Sequence, residues 1–394
     1  MNQAHKDRLP AENGQPRWIT EPRDALNGSA VLQSWRERVA KAGAGSIYLH
    51  PDFLLFSPRK RESLIYVRPG AAQDDGAFAT LAAFSPKSIH LGRRDILPGL
   101  LSLRGMMLWA NQFLGRSDQA SSRAFVDDLL RWLNSRETRV ECVYIEDLEV
   151  GSALRAALDE AGAQGRACVC YPSQPEPHWW VEFPQPARDY WKRFSGKSWY
   201  DVRSKARKLK HSVATFTRAE QVPAFLAQAH EVSKQSWQAR RLGLRMTNTP
   251  EQKWFYDFLA ARGALRSYIL EQDGKPVAFE CGIQWGGCFT FEETGYDRAY
   301  ARQSPGMVLM LRVLEDLVAR DAPALCDFGY GDAPYKQLFG TRQTFSGPVM
   351  LVRRGLRPSA VLGLQRLGRS LIRGSRAALH KVRLLTHLRS RYRK

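Results

Sequence analysis

The stretch Tyr296–Arg320, "YDRAYARQSPGMVLMLRVLEDLVAR", decides the fold. Ser304 suits a helix cap, because its hydroxyl can accept from a backbone N–H one turn in. Pro305 fits the first helical position, where its missing N–H costs nothing. Val308, Leu311, Leu314 and Val318 then recur on one apolar face. Gly306 leaves the backbone beside the cap uncovered, so the N–H groups of Gly306, Met307 and Val308 can meet an anion such as a pyrophosphate. An ordinary capped helix uses the same residues, and the surrounding sequence has to separate the two readings.

Upstream lie three strand-like segments, "ALRSYILEQ", "KPVAFECGIQW" and "CFTFEETGYD", parted by hairpin-type turns at Asp273-Gly274 and Gly286-Gly287. Downstream come a strand "ALCDFGY", a short helix around "APYKQLF" and a last strand "GPVMLVRR". Before them stand a basic helix "SWYDVRSKARKLKHS", a longer helix over about Ala219–Ala239, and one starting at Thr249-Pro250. The order α-α-α-β-β-β-α-β-α-β predicts a mostly antiparallel sheet whose central strand is followed by a crossover helix. The first half reads alike. Strands are expected in "GSIYLHPDFLLF", "SLIYVRP" and "FATLAAFS", a helix over Ser121–Asn134, and a strand in "RVECVYIEDL". A helix "GSALRAALDEAG" and strands near "RACVCYP" and "HWWVEF" complete it.

At 394 residues the chain is long for one core, and two domains are expected. No run approaches twenty apolar residues, so a spanning helix is not expected. The polar start "MNQAHKDRLPAENGQP" has no hydrophobic region; it reads as a disordered leader without a secretory signal. Cys168 and Cys170 sit in an apolar run, which suits neighbouring strand positions, and all six cysteines read as reduced cytoplasmic thiols. No H-E-x-x-H occurs, and no metal is expected.

The net charge of +20 is unevenly placed. From Ala333 onward there are 15 Lys/Arg and no Asp or Glu, and Arg188–Lys210 carries nine basic against two acidic residues. The rest is close to neutral, so these two segments point to anionic partners. Three motifs mislead. Asp327-Phe328-Gly329 spells the magnesium triplet of protein kinases, yet none of the eight histidines is followed by Arg-Asp. "FSGKSW" would need glycine at Trp191 to be a phosphate loop, and no G-x-S-x-G elbow exists.

Gln303-x-x-Gly306-x-Val308, directly after a strand, resembles the Q/R-x-x-G-x-G/A coenzyme A loop of the GNAT acyltransferase superfamily, with Val308 standing where the general pattern has Gly or Ala. More closely, "YDRAYARQSPGMVLM" with "DFGYGDAPYKQLFG" resembles the CelD/BioF-like branch, related to the FemAB proteins. The resemblance covers about Phe194–Val352, including "SKARKLKH"; the first half shares only the order of elements. It implies an α/β (α+β) fold of two tandem GNAT-like domains, each a mixed, mostly antiparallel sheet flanked by helices. Residues 1–16 would be the leader, 17–185 a degenerate GNAT-like domain, 186–355 the catalytic one, and 356–394 a basic amphipathic helical tail.

The same resemblance assigns roles. Asp327-Phe328-Gly329 would end the fifth strand, where the sheet splays around an acyl thioester. Arg302, Gln303, Ser304, Gly306, Met307 and Val308 would hold acetyl-CoA or another acyl-CoA. Tyr335 would give a proton to the departing thiolate, which leaves more easily when a hydroxyl meets the developing charge. Lys336 would bind an anionic substrate or the carbonyl oxygen. A base would come from Glu292, Glu293 or Asp327; strand alternation lets at most one of Glu292 and Glu293 face the cleft. Tyr296, Tyr300 and Asp332 would shape the acceptor side, although core packing explains the two tyrosines equally well.

In the tail, Arg366, Arg369, Arg373, Arg376, His380, Arg383 and His387 recur at helical spacing as one basic stripe, with Leu364, Leu367, Leu371, Ala378, Val382 and Leu385 nearly opposite. Gly363, Gly368 and Gly374 weaken that helix by up to about 1 kcal/mol each. It suits an anionic membrane surface, or else docks on the protein's own sheet. The basic helix over Arg203–Lys210 is either a solvated linker or a contact for coenzyme phosphates, a nucleotide-linked sugar or tRNA. With these features, the resemblance implies a cytoplasmic acyl-CoA-dependent N- or O-acyltransferase, peripheral to the membrane, acting on an anionic glycan, that is, a cell-envelope polysaccharide or lipid-linked precursor. The competing readings are FemAB-like aminoacyl transfer from tRNA and a non-catalytic membrane-docked scaffold.

Overall fold

Short polar residues set where the helices of the first half begin. In the computed structural model, which describes residues 15–41, 45–56, 63–70, 78–90, 102–136, 138–236, 239, 243 and 246–364, Ser29 accepts from Leu32 N, Asp118 from Ser121 N and Ser152 from Arg155 N. The half runs β1 (Arg17–Ile19), α1 (Pro22–Leu26), α2 (Ala30–Ala40), α3 (Pro51–Phe56), β2 (Leu64–Arg68), β3 (Thr80–His90), β4 (Ser102–Leu108), α4 (Gln119–Asn134), β5 (Cys142–Glu149), α5 (Ala153–Ala163) and β6 (Cys168–Cys170). "GSIYLHPDFLLF" is not the expected strand. Ser46 caps a 3-10 turn over Ile47–Leu49, and Pro51 opens α3. Its apolar residues face the core at helical spacing.

After β7 (Glu176–Glu182) the second half runs α6 (Lys197–Lys208), β8 (Ser212–Phe216), α7 (Val222–Gln235), α8 (Pro250–Ala260), β9 (Ser267–Gln272), β10 (Lys275–Trp285), β11 (Cys288–Tyr296), α9 (Pro305–Arg320), β12 (Leu325–Tyr330), α10 (Pro334–Phe339) and β13 (Arg342–Val352). The sequence reading passed over β8, because the basic helix was carried through Ser212 and "VATF" was left unassigned. It pairs with β9 at the sheet edge.

Among the described residues, thirteen strands join one sheet, in the order β1-β2-β3-β4-β5-β13-β7-β12-β11-β10-β9-β8, with β6 also on β13. Two pairs are parallel, β4 with β5 and β11 with β12, and each is connected through a helix. The centre is an exchange. β7 precedes the second half, yet it pairs with β12 and β13. β13 closes the second half, yet its end pairs with β5 and β6. The expected boundary at 185 therefore follows the chain and not the sheet.

The cores show the same sharing. Trp35, Phe53, Phe78 and Leu81 of the first half pack in one cluster with Phe225, Tyr256, Phe258 and Phe279 of the second. The opposite faces are covered separately, by α4 and α5 over β2–β5, and by α6 and α9 over β9–β12. Residues 356–364 form a further helix whose Val361 and Leu362 are buried with Ile89, Cys142 and Met350. The basic stripe from Arg366 onward lies outside the described residues.

Candidate active site

The parallel pairing of β11 and β12 stops at Thr290 and Asp327; beyond them β12 pairs with β7 and the gap to β11 opens. α9 begins on the far side of β11. Ser304 stands at φ 54°, in the left-handed region, so its hydroxyl does not cap the helix as expected. It accepts instead from Lys205 Nζ of α6 at 2.9 Å. The N–H groups of Met307 and Val308, expected to meet an anion, donate to the Ser304 carbonyl at 3.0 and 3.1 Å. Arg302 and Gln303 are exposed at the end of the 3-10 turn Arg298–Gln303, which Asp297 caps through Ala299 N. A Cβ at Gly306 would come within 3.3 Å of Tyr296, so glycine lets that ring lie against the loop. Tyr296 and Tyr300 pack on the α9 core.

Strand alternation on β12 sends Cys326 and Phe328 to the α9 side and Asp327 to the other. Tyr335, half-buried at the start of α10, packs edge-on against Phe328 at 6.0 Å between ring centres. Burial, with the nearby Glu280 carboxyl adding to it, pushes its phenol up to about 12. Glu280 is 1% exposed and its Oε1 has no hydrogen-bond partner. Burial holds its carboxyl well above the usual range, with Glu293 and Glu292 adding to the effect against a hydrogen bond from Thr294. Tyr335 therefore keeps its proton at neutral pH, as a donor to sulfur must. Lys336, expected to meet a substrate, is bonded to the protein's own backbone. It is 7% exposed, and its Nζ donates to the carbonyls of Gly329 at 3.1 Å and Tyr330 at 2.7 Å. It fixes the end of β12. Asp332 accepts from Gln337 at the surface.

The alternation argument for Glu292 and Glu293 fails at a bulge. Cys281 pairs with Glu293 and Gly282 with Phe291, leaving Glu292 as the extra residue of β11. Phe291 and Thr294 sit opposite Gly282 and Glu280, so both glutamates follow the face of Cys281, toward the first half. There Glu292 accepts a hydrogen bond from the Tyr48 hydroxyl, and burial, with the two carboxylates adding to it, raises the Tyr48 phenol well above its ordinary value.

Asp327 opens onto a cavity of about 670 Å³ between the halves. Its Oδ1 takes His178 Nε2 at 2.6 Å and Gly329 N at 2.7 Å. Gly329, at φ 70°, gives the turn that bond needs. The other nitrogen, Nδ1, lies 3.5 Å from Asp147 Oδ2 and 3.3 Å from Ser346 Oγ. His178 is 8% exposed and stacks on Trp180 at 4.5 Å. Burial alone would lower its imidazole; hydrogen bonds and charges from Asp147 and Asp327 outweigh burial and raise it to about 9. It is an imidazolium at neutral pH. Asp147 is held below the usual carboxylate range, His178 and Ser346 outweighing its burial. Sequence reading found Asp327 but missed Asp147, His178, Ser346, Tyr48 and Glu280. Five separate segments carry these residues, and only the strand exchange brings β5, β7, β12 and β13 together.

The comparisons fit this geometry. Residues 196–337 match the family described as Acetyltransferase (GNAT) domain. Those residues are a GNAT acyltransferase domain. Among solved structures, FemX is 12% identical, covering 85% of this chain and 98% of its own, with a TM-score of 0.57. A C-terminal DUF2156 domain from Agrobacterium fabrum is 12% identical over 84% and 93%, TM-score 0.50. A conserved protein of unknown function from Bacteroides thetaiotaomicron is 12% identical over 82% and 97%, TM-score 0.50. No curated protein matches the sequence. At these identities the likeness shows the fold alone. Among the described residues no group of three or more His, Cys, Asp or Glu is placed to hold a metal ion, and no helix is long and apolar enough to cross a membrane.

Proposed function

We propose that the GNAT domain transfers an acyl group, acetyl foremost, from coenzyme A to an amine or hydroxyl presented from the cavity between the halves. The observation that carries this is the open gap beyond Thr290 and Asp327, with a protonated Tyr335 on one face and carboxylates on the other. Lys205, Ser304 and Gly306 at the start of α9 would hold the diphosphate, and exposed Arg302 and Gln303 would flank it. α6 packs on α9, so its cations stand beside that end.

The acceptor nitrogen or oxygen attacks the thioester carbonyl carbon, and the new bond forms as the carbon–sulfur bond breaks. Sulfur leaves with the proton that Tyr335 supplies. The acceptor's proton passes to a carboxylate, Glu292, Glu293 or Asp327; Glu292 already accepts from Tyr48, and Asp327 from His178 and Gly329. Tyr335 regains its proton from solvent, so the exchange balances. Work on a cell-envelope or lipid-linked precursor at a membrane surface is supported by the basic tail. An anionic acceptor would keep its charge outside the cavity.

Titration calorimetry with acetyl-CoA tests the reading, and absence of binding would end it. Tyr335→Phe should bind acetyl-CoA as wild type does while kcat falls about a hundredfold or more. Sensitivity of activity to ribonuclease would favour aminoacyl transfer from tRNA instead.

A further inference from the structure

We infer that the cavity between the halves is the seat of an amino sugar, whose ammonium is read by Asp327 and Asp147. The inference rests on the acyl-transfer reading for what the seat is for, but not for what binds there. Among the described residues the charged lining is Asp147, Glu149, Asp327 and His178: three carboxylates against one imidazolium, with no described lysine or arginine. In a protein of net charge +20, that is a local reversal of sign. It attracts an ammonium and repels a carboxylate or phosphate.

The geometry leaves room for such a group. Asp327 accepts from both His178 and Gly329 on Oδ1, so Oδ2 has no described partner. Thr290 and Asp327 are the last paired residues before the gap, so an amine held at Oδ2 stands where a thioester carbonyl would arrive. The remaining wall suits a ring with several hydroxyls. Tyr48, Trp180 and Trp285 are aromatic residues of the lining, and Thr290, Thr344 and Asn111 supply short polar groups. The volume lies in the range of small-molecule sites.

Saturation-transfer NMR and calorimetry on the full chain, with glucosamine, N-acetylglucosamine, glucuronic acid and lysine amide as probes, test the seat. Glucosamine should bind, and glucuronic acid should not. Asp327→Asn should weaken glucosamine about tenfold. The exposed Glu149→Gln, which leaves the buried cluster intact, should weaken it about threefold and leave N-acetylglucosamine unchanged. Equal binding of glucuronic acid, or no binding by any sugar, overturns the inference. Lysine amide binding as tightly as glucosamine overturns the ring. If acetyl-CoA binds and no sugar does, the seat falls and acyl transfer stands. If glucosamine binds and acetyl-CoA does not, the seat stands and the acyl-transfer reading falls.

Discussion

The two halves repeat one plan and finish it in opposite ways. In each, a parallel strand pair connected by a helix runs a few residues and then parts. In the second half the gap beyond Thr290 and Asp327 stays open. In the first, β4 and β5 pair only over Gly105–Met107 and Cys142–Tyr144, and the gap is then filled. The chain turns through Ala110 and Asn111, both at left-handed φ, and Asn111 Oδ1 accepts from Glu146 N at 2.9 Å and Asp147 N at 3.1 Å. The helix starts differ too. Asp118 caps α4 with a carboxylate, which takes Ser121 N at 2.7 Å. α9 starts at a left-handed serine bonded to a lysine. A carboxylate at a helix N-terminus takes the place an anion would occupy, and a lysine draws the anion in. The first half has become a wall, and its β5 supplies Asp147 to the cavity.

The largest test concerns the cluster joining the halves. The His178 imidazolium titrates near 9 in the folded protein and near 6.5 when unfolded. Its contribution to stability is therefore fully present below about pH 6.5 and lost as pH rises through about 9. A shift of that size corresponds to at most on the order of 3 kcal/mol. Asp147 runs the other way: its lowered folded value means a contribution present above the ordinary carboxylate range and lost as pH falls through the folded value. Urea unfolding at pH 6, 8 and 10 should show stability falling over the alkaline steps. His178→Gln should flatten that fall. An unchanged slope would mean that the halves are not held by this charge.

A smaller effect is expected from writing the first half's cap into the second. Ser304→Asp places a carboxylate where the diphosphate would sit and turns Lys205 into its ion-pair partner. The acetyl-CoA Kd should rise at least about tenfold, or about 1.4 kcal/mol, with little change in melting temperature. Lys205→Met should give a weaker shift in the same direction. The reverse exchange, Asp118→Ser, should create no affinity, because Asn111 still fills the gap behind it.

Much of the second half was legible in sequence because its signals are local. The cap-like Ser304-Pro305-Gly306, the two hairpin turns and the period of α9 each lie within a few residues of what they control. Other readings failed, and one cluster went unseen, for physical reasons. Strand alternation misplaced Glu292 and Glu293, since a bulge inserts one residue and breaks the period of two. Lys336 looked chemically useful beside Tyr335, yet the turn at Gly329 exposes two carbonyls that need a donor. The Asp147–His178–Asp327 cluster was invisible because its members are separated by 30 residues or more and lie on strands that only the exchange of β7 and β13 between the halves brings together. No local pattern marks a histidine in "PHWWVE" as the meeting point of two domains.

The mildest test returns to the filled gap. Asn111→Ala removes the carboxamide that satisfies the N–H groups of Glu146 and Asp147. Those groups lie near the cavity, so water can replace the lost acceptor, and the cost should be about 1 kcal/mol rather than the full penalty of burial. The substituted backbone must also keep φ 57°, which asparagine tolerates better than alanine and which adds to the cost. If the first half is only a wall, acetyl-CoA should bind this variant with unchanged stoichiometry, one site per chain, measured by calorimetry. A second site would show that the Asn111 carboxamide is all that closes a latent coenzyme groove. The present geometry argues against that, because Asp118 still blocks the helix start where the diphosphate would have to sit.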